Sequence, residues 1–207
     1  MKLFFHYCSY GFSNCYILGA EPKDGQGSNS AIVIDSGSME KITLEFIENN
    51  NFDVKAVFLT HSHLGHVRGL RTLKKIYNAE VYAVDQFIMD HKTNMIKDGD
   101  IINIGDLKIE VISIPGHSFD SVVYRIDHLL FTGDVLTAGL VGRTASAYGA
   151  ATQMSKLRTR LLSLPGDYVV LPGHGPPSTL EAERQFNKDI FHYDIIRSTK
   201  PVFRIDD

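Results

Sequence analysis

Thr60-His61-Ser62-His63-Leu64-Gly65-His66 follows Val54-Lys55-Ala56-Val57-Phe58-Leu59, a β-branched and apolar run that reads as an interior strand stopping at Thr60. Two more of the nine histidines stand in similar places. His117 follows Pro115-Gly116 at the end of a strand-like run, and His174 lies in Pro172-Gly173-His174-Gly175-Pro176. Any one of these, taken alone, reads as an ordinary loop or core histidine. Their concentration at three strand ends calls for a common cause. A rigid sheet can aim imidazoles from distant parts of the chain at one point, and neutral imidazole is a preferred ligand of zinc and other borderline divalent metals. Asp134, closing the run His128-Leu-Leu-Phe-Thr-Gly-Asp, supplies a carboxylate for the same cluster. Gly116, Gly133, Gly173 and Gly175 beside these residues permit tight turns and close backbone approach. His6, His91, His128 and His192 have no such context and are assigned no function.

Working outward, KLFFHYC and NCYILGA read as two strands about a turn, and AIVIDSG as a buried strand ending at Asp35 and Gly37. The Gly- and Asn-rich EPKDGQGSN between them has the composition of a hairpin loop. MEKITLEFIENN, with Ile42, Phe46 and Ile47 on one stripe, fits an amphipathic helix and completes a strand–helix–strand crossover. Downstream, VRGLRTLKKIY predicts a helix, EVYAV, DIINI, LKIEVISI, SVVYRI and HLLFTG predict strands, and ATQMSKLRTRLLSL, DYVVL and STLEAERQFNKDI predict helix, strand and helix. Strands flanked by helices in both halves imply stacked sheets covered outside by helices, in a single α/β domain over residues 1–207.

With 207 residues, 43% of them hydrophobic and 22% charged, the chain can bury one substantial core. A net charge of −3 gives no basic field to hold nucleic acid or an anionic membrane. His6, Tyr7, Ser9 and Tyr10 interrupt any signal-peptide core at the N-terminus, and no segment is apolar for membrane-spanning length. The expectation is a cytoplasmic protein acting on a small-molecule substrate, its oligomeric state left open. Cys8 and Cys15 read as small buried side chains rather than as a disulfide or a thiolate metal site.

In order along the chain, VIDSG, THSHLGH, PGHS, FTGD and PGHGP resemble the five sequence blocks of the metallo-β-lactamase superfamily. SNCYIL at Asn14, GRT at Gly142–Thr144 and PGHGPPSTLEAE are similar to the small glyoxalase II-like hydrolases within it. The resemblance implies an αβ/βα sandwich, two facing mixed β-sheets with helices on the outer faces and a metal centre at one edge. It also implies that His61, His63 and His117 hold a first metal, that Asp134 bridges, and that His66 and His174 serve a second. Asp35 then matches the residue that orients the ligand loop from behind. Zinc is the expected metal, one or two ions per chain, with iron as the alternative.

One position departs from the pattern. Where His-x-His-x-Asp-His has aspartate, this chain has Gly65, which removes an anionic ligand and a candidate base from the second metal site and weakens it. Gly65 is read as a permissive turn residue, and Asp120, three residues beyond His117, as an exposed loop carboxylate in preference to a substitute ligand. The expected activity is metal-dependent hydrolysis of a small thioester-, ester- or lactone-like substrate by a metal-bound hydroxide. Asp134 and His174 are its catalytic groups, Asp134 orienting the nucleophile and His174 supporting the developing charge. Arg143 either binds substrate anions or anchors a loop. Glutathione thioesters are disfavoured, because the residues after Pro176 are too few for the helical substrate domain of the glyoxalase II type. Two alternatives stand beside this reading: a mononuclear iron oxidoreductase of the persulfide dioxygenase kind, using His61, His117 and Asp134, and a metal-binding protein without turnover.

Overall fold

The structure, a computed structural model, describes residues 1–20 and 29–192. Strand β1 (Lys2–Tyr7) alternates between exposed and half-buried positions, as an edge strand covered on one face does. It pairs antiparallel with β2 (Asn14–Gly19), which pairs antiparallel with β3 (Ser30–Ile34). β2 and β3 are buried at every position, which their continuous apolar sequence suits. Most of the hairpin loop expected between them, residues 21–28, lies outside the described residues, as does the tail beyond His192.

Helix α1 (Lys41–Asn49) carries the chain over to β4 (Asp53–Phe58), parallel to β3, so the expected crossover is present. The stripe expected on α1 needs a correction. Ile42 is 51% exposed, whereas Thr43 and Ile47, four apart and hence on one helix face, are buried, with Phe46 beside them. The next expected helix is broken at Arg68–Gly69 into α2 (Leu64–Val67) and α3 (Leu70–Ile76). Strand β5 (Glu80–Ala83), a ribbon of β6 (Phe87–Ile88) and β7 (His91–Lys92), and β8 (Asn94–Met95) follow, giving a first sheet of order β1-β2-β3-β4-β5-β8.

The second half supplies β9 (Ile101–Ile104), β10 (Leu107–Ser113), β11 (Val122–Ile126), β12 (Leu129–Gly133) and a ribbon of β13 (Leu136–Thr137) and β14 (Leu140–Val141). Helix α4 (Ala147–Lys156) runs on into a π turn at Leu157–Leu161, and β15 (Val169–Pro172), β16 (Ser178–Thr179) and α5 (Leu180–Phe186) follow, with residues 188–192 helical after a break at Asn187. The second sheet has the order β16-β15-β12-β11-β10-β9.

Period-two alternation sorts the apolar side chains into three layers. Tyr16, Leu18, Ile32, Ile34 and Phe58 point from the first sheet towards Val111, Tyr124 and Phe131 of the second. Ile17, Val33 and Val57 point the other way, against Ile47, Leu70 and Leu73 of the helices. Val123, Leu130 and Val170 meet Leu157, Leu161 and Leu180 on the far side. This is the expected αβ/βα sandwich. Edge-to-face pairs across the centre, Tyr16–Phe131 and Phe58–Tyr124, each at 5.3 Å between ring centroids, fix how the sheets face each other. Among the described residues no helix is long and apolar enough to cross a membrane.

Parallel pairing of β3 with β4 and of β12 with β15 brings the carboxyl ends of two strands to the edge of each sheet. Hydrogen bonds then stitch the sheets together at that edge. The Val122 amide donates to the Thr60 carbonyl at 2.9 Å, and the Asn14 amide to the Gly173 carbonyl at 2.8 Å. The buried Asn14 side-chain amide and the Tyr16 hydroxyl both donate to the Pro172 carbonyl, at 2.9 and 2.6 Å.

Candidate metal centre

The loops leaving β3, β4, β10, β12 and β15 converge at this edge and bring all six expected ligands together. Ligand atoms of His61, His63, His117 and Asp134 lie within 4.8 Å of one another, and so do those of His66, Asp134 and His174. Asp134 stands between the two groups. Its Oδ2 lies 3.8, 3.6 and 3.5 Å from Nε2 of His61, His117 and His174, and its Oδ1 lies 3.5 Å from His66 Nε2. His117 Nε2 faces His63 Nδ1 at 3.0 Å, and His66 Nε2 faces His174 Nε2 at 3.3 Å.

Hydrogen bonds on the far side of each ring decide which nitrogen is offered inward. His117 Nδ1–H donates to the Arg143 carbonyl and His174 Nδ1–H to the Phe12 carbonyl, both at 2.8 Å. A carbonyl can only accept, so both rings present a bare Nε2 to the centre. Asp35 commands the other two buried rings. Its Oδ1 accepts from the Thr60 amide at 2.8 Å, and its Oδ2 from the Thr60 hydroxyl at 2.7 Å and from His66 Nδ1 at 2.9 Å. Because the Thr60 hydroxyl proton is committed to Asp35, its oxygen accepts from His61 Nδ1 at 3.0 Å, and His61 Nε2 is left bare as well. One buried carboxylate therefore sets the tautomer of two rings, one directly and one through a hydroxyl.

The electrostatics match. Burial, reinforced by the positive charge of His66, lowers the His61 imidazole to about 3. Burial also lowers His63, with His117 acting in the same direction. Burial opposes the charged form of His66 too, but the Asp35 carboxylate and hydrogen bonds to Asp134 and Asp35 outweigh it and raise this ring to about 10. Burial pushes Asp134 up, while its hydrogen bond to His66 and the charges of His66, His61 and His174 hold it well below the usual carboxylate range. Without a cation His66 is thus the imidazolium that balances two carboxylates, and a bound cation displaces its inner proton.

The donor set fits a metal. His61 Nε2 is buried and has no hydrogen-bond partner, a state that costs about 1–3 kcal/mol unless something answers it, and Asp134 Oδ1 has only the long contact of His66 Nε2 at 3.5 Å. A cation between them answers both. The backbone is cleared for this arrangement at Gly173, where a Cβ would lie 2.4 Å from Asp134 Oδ1 and 2.6 Å from the His66 ring.

The sequence profile of the metallo-beta-lactamase superfamily matches residues 9–174, from the loop after β1 to the last histidine of the centre. The chain belongs to the metallo-beta-lactamase superfamily. It is 29% identical to the hydroxyacylglutathione hydrolase GloC of Haemophilus influenzae, over 84% of this chain and 91% of that protein. Its fold superposes on ETHE1 from Myxococcus xanthus with a TM-score of 0.81 at 24% identity, covering 98% of this chain and 93% of that one. It also superposes on TTHA1623, solved in a di-iron-bound form, with a TM-score of 0.74 at 25% identity, covering 90% and 99%.

Against the superfamily pattern, two expectations need correction. Gly65 is not a turn residue that needs glycine. It lies in α2 without a left-handed φ, and a Cβ there would find its nearest atoms, in Gly11 and Ser13, at 3.8–3.9 Å, which is ordinary contact. Asp120 is not an exposed loop carboxylate. It is only 3% exposed and its Oδ1 has no hydrogen-bond partner, yet it belongs to neither group of ligand atoms, so the structure does not bring it into the centre.

At Arg143 the two expected roles separate: the backbone carbonyl anchors His117, while the exposed guanidinium takes part in no ion pair among the described residues. Arg143 lines a pocket of about 500 Å³ that opens onto His117, Asp134 and His174, with Leu140, Val141 and Asp189 in its walls. The sequence reading missed Asp189, which comes from a stretch with no motif, and the carbonyls of Phe12 and Arg143. A backbone carbonyl occurs at every residue and leaves no mark in the sequence.

Proposed function

We propose that the chain is a metal-dependent hydrolase of small thioester-, ester- or lactone-like substrates, with zinc as its metal and iron as the alternative. The observation that carries this reading is the polarity of the centre. His61, His117 and His174 are each tied outward through Nδ1 and offer Nε2 inward, beside a carboxylate and at the floor of an open pocket. In this reading His61, His63, His117 and Asp134 hold the first cation, and His66 and His174 with Asp134 support a second, weaker one.

A divalent cation held there would supply Lewis acidity and lower the pKa of a bound water to about 7. The chain supplies the rest. Asp134, pinned between the two histidine groups, accepts a hydrogen bond from the attacking water and orients it. His174, whose inward Nε2 carries a lone pair and no proton, would support the negative charge developing on the substrate oxygen through a second cation that it helps to hold. The Arg143 guanidinium at the pocket wall pairs with an anionic part of the substrate, and Leu140 and Val141 take an apolar one. The presence of His66 and His174 beside Asp134 favours this reading over a single iron held by His61, His117 and Asp134. The likeness to GloC favours it as well.

The experiment is a panel of acyl thioesters, esters and lactones, assayed with the protein loaded separately with zinc and iron, with oxygen consumption followed on a persulfide in parallel. Turnover of at least one acyl class is the expected result. No turnover on any member with either metal defeats the proposal, and oxygen uptake by the iron form alone replaces it with the oxidoreductase.

A further inference from the structure

A second convergence of metal-ligating side chains lies outside the centre described above, at the start of the loop that follows β1. His6, Cys8 and Glu40 offer ligand atoms that all lie within 4.8 Å of one another. Glu40, just before α1, is fixed by its neighbours: Oε1 accepts from the Ser9 amide at 2.7 Å, the Ser9 hydroxyl at 2.6 Å and the Ser38 hydroxyl at 2.8 Å. Its other oxygen is thereby turned to His6 Nε2, 3.0 Å away.

Cys8 is buried at 0% exposure, yet its sulfur is not in an apolar hole. The Ser38 backbone favours its thiolate, a support that the equally buried Cys15 lacks. Gly37 makes room: with φ at +48°, it leaves free a position where a Cβ would lie only 2.3 Å from the Cys8 sulfur. The plainer arrangement is a buried thiol lying beside an independent His6–Glu40 ion pair.

We propose that His6, Cys8 and Glu40 form a separate binding site for a thiophilic divalent cation such as zinc. Imidazole, thiolate and carboxylate together are a zinc ligand set, with bonds near 2.0–2.3 Å. Tetrahedral geometry at such bond lengths separates nitrogen and oxygen by about 3.3 Å, close to the His6–Glu40 spacing, and nitrogen and sulfur by about 3.5 Å, which side-chain rotation reaches. The cation takes the place of the proton between His6 Nε2 and Glu40 Oε2. That proton and the Cys8 thiol proton leave to solvent, and water fills the fourth position. Burial, and after it the Glu40 charge, raises the Cys8 thiol, so without an ion it stays protonated, but coordination deprotonates a thiol outright. His6 and Glu40, 16% and 29% exposed, give the ion its way in. The site is independent of the hydrolase reading.

Cobalt(II) titration of the full chain tests it, because a sulfur-to-cobalt charge-transfer band in the near ultraviolet reports thiolate coordination and the other centre contains no sulfur. The expected result is such a band in the wild type, kept in Cys15→Ser and in a His61→Ala/His117→Ala double variant, and lost in Cys8→Ser. Should Cys8→Ser fail to fold, His6→Gln and Glu40→Gln leave the thiol in place and are each expected to weaken cobalt binding at the band at least tenfold. No band at cobalt concentrations that saturate the other centre overturns the proposal. So does a band that follows Cys15, or one indifferent to both His6→Gln and Glu40→Gln.

Discussion

Asp35→Asn changes one oxygen to an amide nitrogen and is expected to disable both halves of the metal centre. The backbone tolerates it, because Asp35 has φ at +52° and asparagine is among the few residues that adopt this region readily. The Thr60 amide, 2.8 Å from Oδ1, forces the amide oxygen of the new side chain to that position and puts its NH2 where Oδ2 was. The NH2 now donates to the Thr60 hydroxyl and His66 Nδ1, which lie 2.7 and 2.9 Å from that position. His66 must accept at Nδ1 and carry its proton on Nε2. The Thr60 hydroxyl, no longer able to donate to residue 35, donates to His61 Nδ1, and His61 carries its proton on Nε2 as well. Two ligand lone pairs become N–H groups aimed at the cation. Loss of one such supporting contact costs about 10–100-fold in metal affinity. Two rings therefore cost about 10²–10⁴-fold, or about 3–5.5 kcal/mol at 1.4 kcal/mol per decade. Chelator competition measures the affinity, and nitrogen-15 correlation spectra of the imidazoles read the tautomers. Zinc affinity within threefold of wild type, with His61 and His66 still protonated at Nδ1, would refute the relay through Thr60.

Gly65→Asp is expected to raise metal content per chain by elemental analysis from nearer one to nearer two, since the Cβ fits and a carboxylate adds charge. Helix propensity in α2 adds only about 0.3 kcal/mol of stability in the same variant, because aspartate is itself a poor helix former, and unchanged stoichiometry would remove Gly65 as the cause of a weak second site. Thermal melts of the metal-free protein are expected to peak near pH 6.5. Below that pH the unfolded chain protonates a histidine that the fold keeps neutral down to about 3, and above it the stabilising charge of His66 is lost as pH rises towards 10. A melting temperature still rising from pH 7 to 9.5 would contradict the His66 assignment. Asn14→Ala removes a side-chain amide that reaches the carbonyls of Pro172 and Gly175 and is expected to cost about 1–3 kcal/mol in urea unfolding, with second-site metal released first. A cost below about 0.5 kcal/mol would show that the stitch between the sheets lies elsewhere.

The ligands were legible in the sequence because a histidine or aspartate beside glycine at a strand end is a side-chain signal, and parallel pairing of strands makes those ends meet. What holds the ligands was only half legible. Asp35 could be placed behind the loop, but its branching to His61 through Thr60 depends on which oxygen each donor reaches. Asp120 was misjudged because its loop is short and polar, and only the packed sandwich shows that it is covered. Ile42 was misplaced for a related reason: hydrophobic spacing defines a stripe but not which side of it meets the sheet, and the packing chose Thr43 and Ile47.

His174 is braced by the Phe12 carbonyl, and Pro172 by Asn14, across more than 150 residues of chain. Residues 172–174 leave the ribosome last of the ligand-bearing segments, after the other ligands have been made. During synthesis the N-terminal hairpin therefore emerges with its half of the brace empty, and the three-histidine group can meet a cation before the other half-site exists. Order of assembly, rather than affinity alone, would then determine which position is filled first.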